Sequence, residues 1–176
     1  MTRPDPKIEA KRLMEHLRRL KNDRGAMADL RCALSPARLP RAWPLLASVG
    51  GVDDPRIQTV AGLFAWHPLE TDTGNLGTTC RRLADENTTF EARFQRLLSC
   101  ERDEIFGRLR PVVLAARPRG IPVNYEQLFI DLSYWPGKTR EQWAKKFWGA
   151  PEAGEGAGSG GFTLPQPEEE PPRTSE

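Results

Sequence analysis

Apolar residues in this 176-residue chain recur three and four positions apart in block after block. No stretch of four or more residues alternates apolar and polar between hairpin turn signals. A period near 3.6 lays such residues along one face of a helix, whereas a half-buried strand requires a period of two. The pattern therefore commits the chain to an all-α fold, a single compact domain of about seven to nine helices.

Prolines, glycines and capping residues divide the pattern. A first helix is expected over residues 6–22, with Leu13, Leu17 and Leu20 on one face, and Asp23 and Gly25 mark its end. A shorter helix over 26–34 stops at Ser35-Pro36, because proline disfavours helix at the residue before it. Between Pro40 and Pro44 runs a loop, and residues 43–49 read as a helical turn ended by Gly50-Gly51. Asp53-Asp54-Pro55 is a helix start that leads into Ile57, Val60, Leu63 and Phe64, a helix expected to be largely buried, closed by His67-Pro68. A polar loop over 70–77 precedes a helix carrying Arg81 and Arg82. Thr88 and Glu91 have capping-box spacing and predict a helix in which Phe94, Leu97 and Leu98, then Ile105 and Leu109, keep one stripe, kinked or ended by Pro111. Asn124 and Gln127 predict a cap before Tyr125, Leu128, Phe129 and Leu132. Thr139 and Gln142 predict another before Trp143 and Phe147, and Gly149 ends the fold.

The charge balance separates the two parts of the chain. Overall it is +2, but residues 150–176 hold six Glu and one Arg, so residues 1–149 carry 25 Lys and Arg against 18 Asp and Glu, a net +7. The domain at 1–149 is thus basic. The segment at 150–176, rich in Gly, Pro, Glu and Ser, has almost nothing to bury and is expected to be a disordered acidic tail, with Phe162 and Leu164 its only apolar anchors. The basic residues are 20 Arg and 6 Lys, and the guanidinium fork suits phosphate. A GC-rich genome would enrich Arg as well, so composition leaves both explanations open.

No apolar run approaches the roughly 20 residues of a membrane span, and the polar start MTRPDPKIEAKR has no secretory apolar region behind it. A cytoplasmic protein is expected. Cys32, Cys80 and Cys100 are odd in number and scattered, which fits reduced thiols, and His16 and His67 have no ligand cluster at metal spacing, so no metal or other cofactor is expected. His67 reads as a structural residue packed near Trp66 or bonded to a loop carbonyl. The acid pairs Asp53-Asp54 and Asp103-Glu104 splay apart and suit capping and solubility. Gly74-Asn75-Leu76-Gly77 lacks the strand and the GK[ST] of a nucleotide loop. It reads as a permissive turn before a helix end that could grip a polymer phosphate. Arg93 and Arg96 lie one turn apart, off the apolar stripe, followed by Arg102, Arg108 and Arg110. Phosphate contact and a face salt-bridged to Glu91, Glu101, Asp103 and Glu104 are both compatible with that spacing.

The order of motifs is more specific than any one of them. LRCALSP (30–36), AWPLLA (42–47), GNLGTTCRRLA (74–84), FEARFQRLLSCERDEIFGRLRPVV (90–113), RGIPVNYEQLFIDLSYW (119–135) and QWAKKFW (142–148) together resemble the small subunit of the type I-E CRISPR Cascade surveillance complex, the CasB family. The resemblance implies two small helical lobes and no enzymatic activity. It also implies partners: other Cascade subunits, guide RNA and target DNA, with two copies in contact along the guide-RNA filament and basic side chains along the displaced strand. Its basic positions fall on Arg31, Arg56, Arg102 and Arg110, and also on Arg81, Arg82 and Arg93, with backbone contacts and no base readout. The chain departs from the family pattern at Ser99, in a run that often begins with a basic residue. The acidic tail lies outside the resemblance.

Three rival functions make different demands on the sequence. A helix-turn-helix regulator needs base-reading Asn, Gln or Arg at the start of a second helix. A pure scaffold needs no salt-dependent affinity for single-stranded DNA. A hydrolase needs a convergent acid and base set around His67.

Overall fold

The computed structural model of the chain describes residues 2–150. The tail expected from Ala150 lies, past Ala150 itself, outside the described residues. The described residues form nine α-helices: α1 Pro6–Leu20, α2 Arg24–Arg31, α3 Trp43–Leu46, α4 Pro55–Trp66, α5 Leu76–Ala84, α6 Phe90–Leu98, α7 Ile105–Ala116, α8 Tyr125–Tyr134 and α9 Gly137–Trp148. Short 3-10 turns follow α2, flank α3 and follow α7. None of these helices is long and apolar enough to cross a membrane.

Side-chain caps place several of the helix starts. Asp5 accepts from Lys7 N at 2.9 Å, Asp23 from Ala26 N at 3.0 Å, Asp54 from Arg56 N at 2.9 Å and Asn124 from Gln127 N at 3.0 Å. Each supplies an acceptor to an amide that the first helical turn leaves unpaired. The expected starts at Asp54 and Asn124 are thus both present.

Two expected caps are not used. At α6 it is Asn87, not Thr88, that accepts from Thr89 N at 3.1 Å. Helix α9 begins at Gly137 without a side-chain cap. Thr139 is buried inside it, donating to the Asp131 carbonyl at 3.4 Å.

The single stripe expected from Phe94 to Leu109 is two helices, separated at residues 99–104. The reason is tertiary, because the Cys100 carbonyl is taken by Trp135 Nε1 at 3.0 Å and by Arg140 Nη2 at 2.7 Å. Pro111, expected to kink or end its helix, lies inside α7. Its absent N–H removes the α-helical hydrogen bond to the carbonyl of Gly107, a residue on an exposed face of the helix.

The helices pack in two groups within a single domain. One is α1, α2, α4 and α8, the other α5, α6, α7 and α9, and they meet through α4 against α7 and α8 against α9. One core cluster runs through both, from Ala10 to Phe147. Helix α4 sits at its centre and is buried on nearly every side from Arg56 to Ala65, as the apolar content of its sequence predicts. Phe64 meets Tyr125 edge to face at 5.6 Å, and Phe94 stacks on Phe147 at 4.2 Å.

Helices α5 and α9 run parallel. Asn75 Nδ2 donates to the Gln142 carbonyl and Arg81 Nη1 to the Gly149 carbonyl, so both chains advance in the same direction. A Cβ at Gly77 would strike the Trp143 carbonyl, which is why the contact between these helices requires glycine.

Candidate nucleic-acid interface

Folding distributes the seven sequence-predicted arginines over five environments. Arg31 ends α2 and is half-buried, its Nε donating to the Ala65 carbonyl at 3.1 Å. Its guanidinium carbon lies 5.3 Å from the centre of the Trp66 ring, and that of exposed Arg110, on α7, lies 5.7 Å from the same ring. Three helices therefore bring two cations to one indole, each drawn to its π face. Neither arginine is ion-paired to a carboxylate among the described residues. Two like charges held this close without an anion form a site of positive potential.

Arg56 goes elsewhere. It is 3% exposed, and its head group donates to Asp54, to Glu9 and, at 2.6 Å, to Ser133 Oγ. It also lies 4.7 Å over the Phe129 ring. The expectation that Arg56 lines a strand is corrected by this burial: its donors are spent inside the fold, tying α4 to α1 and α8. Burial favours the neutral form of Arg56, but the hydrogen bonds and charges of Asp54 and Glu9 outweigh that and hold its pKa above the ordinary value.

Arg102 lies outside Arg56. Exposed in the turn between α6 and α7, it donates to the Trp135 carbonyl at 2.9 Å and towards that of Ser133 at 3.5 Å, capping the carboxyl end of α8. Beside it Arg140, which the sequence did not single out, lies over the Trp135 ring. Arg93 is exposed on α6 with its guanidinium 5.7 Å from the ring of Phe90, one turn earlier.

Arg81 and Arg82 sit in the last turn of α5, not at the helix start that Gly74 and Asn75 lead into. At that start Asn75 N donates to Thr78 Oγ1 at 3.2 Å and Thr78 N to the Asn75 carbonyl at 3.1 Å, while Asn75 Oδ1 is buried without a partner. With Lys145 and Lys146 of α9 the two arginines line a groove of about 720 Å³ that also reaches Gln142 and Ala150. The two lysines went unassigned in the sequence because their position beside α5 is set by the α5–α9 contact.

The salt-bridged alternative for the arginine-rich face is not what forms. Of the acids proposed for it, Glu101 pairs with Arg140 at 3.5 Å and Glu91 accepts from Trp148 Nε1 at 3.0 Å. His67 is buried with Nε2 donating to the Ile121 carbonyl at 2.7 Å, as the structural reading predicts. Burial pushes the Cys80 and Cys100 thiols up, and all three cysteines are free and buried. Among the described residues no group of three His, Cys, Asp or Glu could hold a metal ion.

Against this geometry, the comparisons with known proteins are consistent. The family model for CRISPR-associated protein Cse2 matches residues 26–148. No curated protein matches the chain in sequence. Among solved structures, a CRISPR-associated protein of the Cse2 family from Thermus thermophilus is 26% identical with a TM-score of 0.69, covering 80% of this chain and 98% of its own. CasB from Thermobifida fusca is 20% identical, TM-score 0.63, covering 82% and 97%. A chain of a CRISPR RNA-guided surveillance complex is 21% identical, TM-score 0.70, covering 81% and 92%; these last two show the likeness of fold.

Proposed function

The chain belongs to the CRISPR-associated Cse2 family, and on that premise we propose that it is the non-catalytic small subunit of a type I-E CRISPR RNA-guided surveillance complex in the cytoplasm. In this role it packs along the guide-RNA filament, in two copies that touch each other, and steadies the R-loop by holding the backbone of the displaced DNA strand. Exchange of a DNA duplex for an RNA–DNA heteroduplex is close to balanced in energy, so sequence-independent contacts to the freed strand suffice to tip it.

The observation that carries the reading is the pair Arg31 and Arg110 on Trp66, two cations without an acid. Arg102, Arg82 and Arg93 extend the positive surface on the same domain, and Arg81 lies in the groove beside Arg82. The non-enzymatic part is supported by the commitment of His67 to a backbone carbonyl and by the raised, buried thiols.

Co-purification of the tagged chain with its neighbouring gene products tests the assembly, the expected result being entry into a large RNA-containing particle. Recovery of the chain alone and free of RNA contradicts it. Within the particle, Arg31→Glu with Arg110→Glu is expected to lose protection of the displaced strand while assembly persists.

A further inference from the structure

The groove between α5 and α9 has more positive charge than its own helix ends require. Basic residues at a helix carboxyl end commonly offset its negative dipole and cap its carbonyls. Here that task falls to Arg119, which donates to the carbonyls of Leu83 and Arg82 at 2.8 and 3.0 Å, and to one cation of the groove, Arg81, which donates to that of Gly149 at 2.9 Å. The head groups of Arg82 and Lys145 are exposed and make no hydrogen bond or ion pair among the described residues. Asp85 is the one carboxylate among the residues that line the groove with Arg81, Arg82, Lys145 and Lys146.

The described chain ends at Ala150, which itself lines this groove. From there the sequence continues for 26 residues with six Glu and one Arg, including the consecutive Glu168, Glu169 and Glu170. We propose that Glu168, Glu169 and Glu170 of the chain's own C-terminal segment dock in the basic groove between α5 and α9, occupying it in competition with a nucleic-acid backbone. The competition rests on the strand-binding reading above; the docking does not.

Length permits it. Glu168 is 18 residues beyond Ala150, a separation that allows a reach of up to about 60 Å, and Ala150 itself lies on the groove. A tether this short gives an effective concentration in the millimolar range. Individually weak exposed ion pairs therefore suffice to populate the contact, and salt disperses it.

The three native cysteines are buried, so a spin label can be placed selectively on a Gln166→Cys variant of the full chain. At about 0.01 M salt the label is expected to broaden the amide resonances of Arg82 and Lys145. The broadening should vanish at about 1 M salt, where the screening length is about 3 Å, and also when E168Q, E169Q and E170Q are added. Unbroadened groove amides at low salt overturn the docking. In parallel, the full chain carrying E168Q, E169Q and E170Q is expected to bind a single-stranded oligonucleotide about three- to tenfold tighter than the unsubstituted chain at low salt. Equal affinities overturn the competition. Broadening without oligonucleotide binding by either protein keeps the docking and removes the strand-binding reading. Tight binding unaffected by the Glu substitutions, with no broadening, does the reverse.

Discussion

The guanidinium of Arg56 forks onto the carboxylate of Asp54, Nη2 to Oδ2 at 2.6 Å and Nε to Oδ1 at 3.1 Å, with the arginine side chain 3% exposed. The same carboxylate caps α4 through Arg56 N, so one Asp both starts the central helix and neutralises its buried cation. Removing one partner of such a pair leaves an uncompensated charge, which costs about 3–5 kcal/mol. Arg56→Ala is accordingly expected to lower stability in a urea titration by an amount of that order, a large part of a small domain's total. A variant that unfolds at the original midpoint would contradict the assignment of Arg56 to the interior.

The arginines on Trp66 should behave in the opposite way. Arg110 is exposed and unpaired by acid, so Arg110→Ala is expected to leave stability within about 0.5 kcal/mol. The same variant should flatten the salt dependence of single-stranded DNA binding, by about 0.7 in the log–log slope for one lost phosphate contact. An unchanged slope would count against Arg110 as a backbone contact.

Trp66 itself separates positioning from packing. Its Nε1 is buried without an acceptor, and replacing a donor left in that state removes a desolvation penalty. Trp66→Phe keeps an aromatic face for both guanidiniums and should be at least as stable. Trp66→Leu removes the π face, and its oligonucleotide affinity is expected to fall severalfold in fluorescence anisotropy. Equal affinities for the two variants would remove the ring from the interface.

Two carboxylates give pH dependences of opposite sign. Burial raises the Asp54 pKa, but the hydrogen bonds and charge of Arg56, with Arg3, outweigh it and leave Asp54 below the ordinary value of 3.8. Its stabilisation is therefore present above 3.8 and lost as pH falls through the folded pKa. Asp131 is raised, chiefly by burial, with hydrogen bonds from Trp143 Nε1 and Gln127 Nε2 at 2.7 and 2.8 Å opposing the shift. Its native state holds a proton that the unfolded chain has released, so this carboxyl lowers stability as pH rises from 3.8 through the folded pKa. Asp131→Asn is expected to raise the neutral-pH Tm, with a smaller gain at pH below 3.8, measured by calorimetry across pH. A lower Tm at neutral pH would sink the argument.

Gly77 tests the α5–α9 contact. Its absent Cβ leaves room for the Trp143 backbone, so Gly77→Ala must push the helices apart, at a cost of about 1–3 kcal/mol. Trp143 fluorescence and thermal unfolding should both change, and an unaltered Tm would show that the contact yields freely.

The helices themselves follow from local signals in the chain. Period-3.6 apolar spacing and caps such as Asp54 and Asn124 act within a turn or two, so the all-α class and the buried character of α4 were legible without a partner. The break between α6 and α7 was not, because Trp135 and Arg140 draw the Cys100 carbonyl out of the helix from a distant part of the chain. Nor could spacing say that Arg56 turns inward while Arg31 and Arg110 share an indole. A guanidinium has the same formal charge in every context, and it is the packing of α1, α2, α4, α7 and α8 that settles whether it meets a carboxylate, a carbonyl, an aromatic face or open solvent.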